Sequence, residues 1–263
     1  MPVIRLIILI ALWISMATAH ATPPVESAFL ARSFDGPAGE LKYRLLLPEN
    51  FDPARQYPLV LFLHGAGERG SDNLSQLTHG AALFVDNREQ FPAVVLFPQA
   101  PENDYWAVVN ADRSSLPFRF AYPYNGSNNV PPTDALTNAM ALTHRFMQKH
   151  FINTDKVYVA GLSMGGMGTL ELLARRPQWF RAAIAICPGA NPAIGQHFSP
   201  DLALRIYHGA DDQVVVPELS RLVAIQARPH IAVLERKVYP DTDHNSWDSA
   251  FAEPDFLSWL MAQ

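Results

Sequence analysis

The 263-residue sequence predicts an α/β protein with a mostly parallel, doubly wound sheet that begins with antiparallel strands. Three observations carry that expectation. Continuous apolar runs, among them residues 58–63, 93–97 and 182–187, fit strands buried on both faces. Helix-compatible segments alternate with such runs over most of the chain. Gly161-Leu162-Ser163-Met164-Gly165 stands between a β-branched and aromatic run and a helical segment, a strand–turn–helix order with Gly-x-Ser-x-Gly at the bend.

Taken in order, residues 28–34 and 41–47 read as two strands joined by Asp35-Gly36-Pro37-Ala38-Gly39, whose turn chemistry makes a hairpin. Residues 58–63 form the first buried strand, and His64-Gly65-Ala66-Gly67 follows it directly. After the strand at 93–97, residues 98–132 are rich in Pro, Asn and Tyr and show no period. They read as a long loop covering part of a site, with Trp106, Tyr122 and Tyr124 as apolar walls. Residues 134–150 are helical, with Leu136, Met140, Thr143 and Met147 at three- and four-residue steps and Thr133 or Asp134 as cap. The strand at 157–160, the serine turn and a helix to about Arg176 come next. Strands at 182–187 and 202–207, a helix at 217–227, a last strand at 232–239 and closing helices at 246–261, broken near Pro254, complete the chain. No repeat and no linker divides residues 22–263, so one domain is expected.

Composition is that of a globular chain, 49% apolar and 17% charged. With a net charge of −5 and no basic–aromatic cluster, nucleic acid is not an expected partner. Residues 1–21 read as an export signal: Arg5 is the positive n-region, residues 6–14 the apolar h-region, and Ala17-Thr18-Ala19 or Ala19-His20-Ala21 the cleavage site. The apolar run is short for a bilayer span, so no stable membrane anchor is expected after cleavage, and an exported protein, periplasmic or secreted, follows. Cys187 is the one cysteine, which excludes an intramolecular disulfide; it is expected to be buried and inert.

In a sheet of this kind ligands bind at the carboxyl ends of the strands. The loops carrying His64, Ser163, Asp212 and His244 all follow strands and should meet at one edge. A serine hydroxyl needs a base within hydrogen-bond reach, and that base needs an acid to set its tautomer. Chain order serine, acid, histidine assigns Ser163 as nucleophile, Asp212 as acid with Asp211 next in line, and His244 as base. Asp241 and Asp243 lie too close to His244 in sequence to reach its far nitrogen. Backbone N–H groups of Ala66, or of Gly67, and of Met164 would form the oxyanion hole. Glu68 and Arg69 would pair or hold that loop. No Lys follows the glycines, and no metal-ligand spacing or dinucleotide fingerprint is visible, so no metal and no organic cofactor is expected.

Leu63-His64-Gly65-Ala66-Gly67-Glu68-Arg69-Gly70, Gly161-Leu162-Ser163-Met164-Gly165-Gly166, His208-Gly209-Ala210-Asp211-Asp212 and Asp243-His244-Asn245-Ser246-Trp247 together resemble the α/β-hydrolases. The likeness is specifically to a secreted carboxylesterase and "predicted peptidase" group near the phospholipase/carboxylesterase and dienelactone hydrolase families. The resemblance spans essentially all of residues 22–263. It implies the α/β-hydrolase fold, the acid at Asp212 as the last position of His-Gly-x-x-Asp, and cleavage of a small-molecule carboxylic ester. A serine peptidase acting on short peptides, and a non-catalytic binding protein on the same scaffold, stay open as alternatives. Substrate identity and oligomeric state are not legible.

Overall fold

A computed structural model describes residues 24–263; the export-signal reading of residues 1–21 falls outside them. Among the described residues, eight strands form one sheet. The hairpin β1 (Leu30–Gly36) and β2 (Gly39–Leu46) is antiparallel, and β2 meets β4 (Val94–Pro98) antiparallel. From β4 through β3 (Tyr57–Leu63), β7 (Ile152–Leu162), β8 (Ala182–Ile186), β9 (Ala203–Gly209) and β10 (Val233–Tyr239) every pairing is parallel. Strand β7 starts five residues before the expected 157. Asn153 to Lys156 are polar and partly exposed there, so no apolar run marks the extension.

Alternation along the central strands feeds two cores. Leu59, Leu61 and Leu63 face one side with residues of α2 (Asp134–Met147), α3 (Met164–Arg175) and α4 (Pro217–Ala227). Val60 and Phe62 face the other with Phe84 of α1 (Ala81–Asp86), Ala250 of α5 (Trp247–Phe251) and Leu260 of α6 (Phe256–Met261). Helices on both faces explain why the middle strands carry no polar face. Among the described residues no helix is long and apolar enough to cross a membrane.

The long segment after β4 is fastened at several points. Asp104 Oδ2 accepts the Ala135 N–H at 2.6 Å, and Thr133 Oγ1 donates to the Tyr105 carbonyl at 2.6 Å. Buried Glu171 on α3 accepts the Val108 N–H at 2.9 Å, and Arg175, paired to Glu171, stacks over the Tyr124 ring at 3.8 Å. The segment also carries a small antiparallel pair, β5 (Asn110–Asp112) and β6 (Arg119–Ala121), where only loop is expected. Its six residues are mostly exposed and show no alternation, so periodicity could not reveal it. Helix α1 is likewise absent from the sequence reading. Its six residues are too few for a period.

Candidate active site

The strand–turn–helix at residue 163 is the structural centre of the site. Ser163 has φ 51° and ψ −115°, outside the regions open to an ordinary L-residue, and is held there by its N–H donating to the Ile186 carbonyl at 2.8 Å. Its own carbonyl accepts the Met167 N–H at 2.9 Å as α3 begins. Glycine is required on both sides of the bend. A Cβ at Gly161 would overlap the Gly165 carbonyl, and one at Gly165 would overlap the Leu63 carbonyl at the end of β3. The turn therefore presses helix against strand with no side chain between them, and the hydroxyl projects into a cavity.

Two other loops bring partners to it. Ser163 Oγ lies 2.8 Å from His244 Nε2, and His244 Nδ1 lies 2.7 Å from Asp212 Oδ2. The loop after β10 is tied to the loop after β9 by two backbone bonds, Ala210 N–H to the Tyr239 carbonyl and Asp211 N–H to the Thr242 carbonyl, both 2.9 Å. Asp212 is buried and its Oδ1 accepts the N–H groups of Val214 and Val215 at 2.8 and 2.9 Å, so the acid loop closes on its own carboxylate. Asp211 is exposed and has no part in this set.

His208, treated in the sequence only as part of a motif, is fully buried behind Asp212. Its Nε2–H is shared between the Val215 carbonyl at 2.7 Å and Asp212 Oδ2 at 3.2 Å, and its Nδ1 accepts from the Ser220 hydroxyl at 2.9 Å. Burial by itself would raise the Asp212 pKa. Hydrogen bonds from His208 and His244 and the backbone donors outweigh it and hold the carboxyl far below its usual range. For His244 burial disfavours the charged ring, yet the hydrogen bond to Asp212 and the Cys187 sulfur nearby prevail, so its pKa lies above 6.5.

The loop after β3 supplies the opposite wall. Ala66 opens a 3₁₀ turn (Ala66–Glu68) and Met164 opens α3. N–H groups at such first positions have no acceptor within their own helix. Both residues line the cavity with Ser163. His64 anchors this loop. Its Nδ1–H donates to the Gly65 carbonyl at 2.6 Å, its Nε2 accepts the Ala100 N–H at 3.0 Å, and its carbonyl accepts Trp106 Nε1–H at 3.1 Å. Glu68 and Arg69 do not pair with each other. Arg69 donates to the Ala66 carbonyl at 2.9 Å and stacks on Tyr105, which holds the loop, while Glu68 faces His79 at 3.8 Å.

Burial is the main reason the His64 imidazole is held down to about 4. Since that lies below the ordinary 6.5, the stability tied to the neutral ring is fully present above pH 6.5 and is lost as the pH falls toward 4. The whole difference corresponds to about 3 kcal/mol. His64→Gln should therefore flatten the fall of the urea midpoint between these pH values, measured against wild type. A parallel decline in both proteins would contradict it.

The cavity encloses about 320 Å³ and is walled mainly by Ala66, Tyr105, Phe118, Phe120, Met167 and Trp247. That corrects the expectation for the aromatic residues. Trp106 is fully buried because its indole N–H finds the His64 carbonyl, and Tyr122 and Tyr124 line a separate, much smaller void beside Glu171. Cys187 is buried, as expected, but not among apolar neighbours alone. Its sulfur belongs to a group with Asp212 and His244 whose ligating atoms all lie within 4.8 Å of one another. The signal was available in strand order: Leu162 pairs with Ile186, so the residues that follow, Ser163 and Cys187, leave adjacent strand ends.

An open, mostly parallel sheet with a serine on a strained turn after its central strand, followed in sequence by an acid and a histidine, defines an α/β-hydrolase. Residues 36–252 match the model of the Esterase family, described as "Putative esterase", and the chain belongs to that family. It is 27% identical over 198 residues to carboxylesterase SOBER1 of Arabidopsis thaliana, covering 71% of this chain and 82% of that one. It is 28% identical over 161 residues to human dipeptidyl peptidase 8, of which the match covers only 16%. Among solved structures, one described as a thermostable esterase superposes with a TM-score of 0.79 at 32% identity, covering 91% of this chain and 64% of that protein. The chain is accordingly an esterase of the α/β-hydrolase fold.

Proposed function

We propose that Ser163, His244 and Asp212 hydrolyse small carboxylic esters through an acyl-enzyme. The 2.8 Å and 2.7 Å contacts from Ser163 to His244 to Asp212 are the observation that carries this reading. His244 Nε2 takes the proton from Ser163 Oγ as the oxygen attacks the ester carbonyl. Asp212 holds the Nδ1–H tautomer and stabilises the imidazolium that forms. The carbonyl oxygen, now negative, turns toward the N–H groups of Ala66 and Met164. Each such donor is worth about 3–4 kcal/mol of transition-state stabilisation. His244 then returns its proton to the leaving alcohol, and water activated by the same nitrogen releases the acid. Each proton passes through His244 Nε2, and the one taken from water ends on Ser163 Oγ as the acid leaves.

The apolar, aromatic-walled cavity supports an uncharged acyl or aryl group as the bound portion. A fluorophosphonate probe should label wild type and leave Ser163→Ala unlabelled. An aryl acetate should be turned over much faster than a peptide anilide; the reverse order would favour a peptidase. Because His244 must be neutral to accept a proton and its pKa is raised, kcat/KM should climb with pH along a limb centred above 6.5. A limb centred below that value would contradict the role of Asp212. Export is part of the proposal, supported by the signal-like pattern of residues 1–21, and N-terminal sequencing of protein recovered outside the cytoplasm would test it.

A further inference from the structure

Cys187 takes no part in the proton path proposed above, yet its position is unusual in two independent ways. It occupies a left-handed backbone conformation, φ 41°, as a buried non-glycine residue at the end of β8. Its sulfur also lies against the acid–histidine pair, with one ligating atom each from Cys187, Asp212 and His244 inside a 4.8 Å radius of one another. We propose that these three residues form an inhibitory site for a thiophilic divalent cation such as Zn²⁺ or Cd²⁺.

The donor set is one sulfur, one imidazole nitrogen and one carboxylate oxygen, the combination that suits zinc and its heavier analogue rather than magnesium or calcium. In a tetrahedral zinc site with bonds of about 2.0–2.3 Å the donors stand about 3.3–3.6 Å apart. Reaching that geometry takes a small opening of the 2.7 Å His244–Asp212 contact, with the sulfur already within 4.8 Å of both partners. The carboxylate is already oriented from behind by His208 and by two backbone N–H groups, the outer contacts that steady a metal ligand. Charge balances. The thiol gives up its proton to solvent, the Nδ1 proton of the neutral imidazole moves to Nε2 so that Nδ1 can bind the cation, and one thiolate and one carboxylate offset the two positive charges.

Occupancy and ester turnover exclude each other. A cation on His244 Nδ1 displaces the link to Asp212 and leaves the ring proton on Nε2, where no lone pair remains to accept the Ser163 proton. The way in is from the cavity, where the His244 side chain is 18% exposed while Asp212 and Cys187 lie behind it. A fourth position remains for water.

The test titrates Zn²⁺ into wild type and Cys187→Ser, with inhibition expressed against each protein's own zinc-free rate on an aryl ester. Wild type should be inhibited reversibly by Zn²⁺, restored by a chelator and indifferent to Mg²⁺. Cys187→Ser should need at least about 100-fold more zinc. Independently of turnover, Cd²⁺ should give the ultraviolet thiolate-to-cadmium charge-transfer band in wild type and in Ser163→Ala, weaken in His244→Ala, and give none in Cys187→Ser. Equal zinc sensitivity in wild type and Cys187→Ser, or no cadmium band in wild type, would overturn the proposal. Because binding is read optically in Ser163→Ala, failure of the metal site and failure of the esterase reading are separate results.

Discussion

Replacing Ser163 with alanine is expected to lower turnover of an aryl acetate by about 10⁶-fold, the size of loss seen when the nucleophile of a serine hydrolase is removed. Geometry sets this loss as much as residue type does. Among the described side-chain hydrogen bonds, Ser163 Oγ makes one, to His244 Nε2. Removing it therefore costs the fold little, and the backbone of residue 163 keeps its Ile186 partner. A thermal midpoint close to wild type alongside lost activity would show that chemistry, not folding, was removed. The residual rate should come from the Ala66 and Met164 N–H groups and from binding alone. Turnover at the wild-type rate in Ser163→Ala would place the chemistry elsewhere in the molecule.

The second large effect is on folding. Gly165→Ala puts a methyl group into the Leu63 carbonyl, with the His64 carbonyl close behind. Neither obstacle is a flexible side-chain end that could swing away. Relief requires α3 to lift from β3, which would open the core around Leu63 and Leu170 and re-aim the N–H of Met164 relative to Ser163 Oγ. A loss of more than about 4 kcal/mol is expected, enough to abolish soluble folded protein for a domain of ordinary stability. Gly67→Ala is the matched control, since nothing lies within 4 Å of a Cβ built there and its φ is ordinary. Urea unfolding of the two variants checks the contrast. Comparable midpoints would show that the sheet tolerates separation at the turn.

Much of the fold was legible because parallel strands buried on both faces leave unbroken apolar runs. Residues 58–63 and 182–187 locate β3 and β8 to within a residue, and Pro217 opens α4 where expected. The hairpin of β1 and β2 was marked by its turn residues, although β1 runs on to Gly36. Elements without burial on a regular period were not legible: exposed β5 and β6, short α1, and the polar start of β7.

For the site, chain order together with loop position singled out Ser163, Asp212 and His244, and the structure brings all three into one hydrogen-bonded line. The last position of His-Gly-x-x-Asp favours Asp212 over Asp211, and in the structure Asp212 is the buried one of the two while Asp211 is exposed. The aromatic walls were misassigned because Trp106 and Tyr124 are drawn inward by a carbonyl and a guanidinium far away in sequence.

The amino-acid order alone therefore determined the layered architecture, the strained serine turn and the chemical type of each partner. These depend on periodicity, glycine placement and side-chain functional groups within a few residues of one another. Only tertiary structure decided which aromatic rings face the cavity, and that Cys187 and His208 pack against Asp212. Those outcomes depend on register between strands and on through-space contacts, where a single partner distant in the chain redirects a side chain that local pattern leaves free.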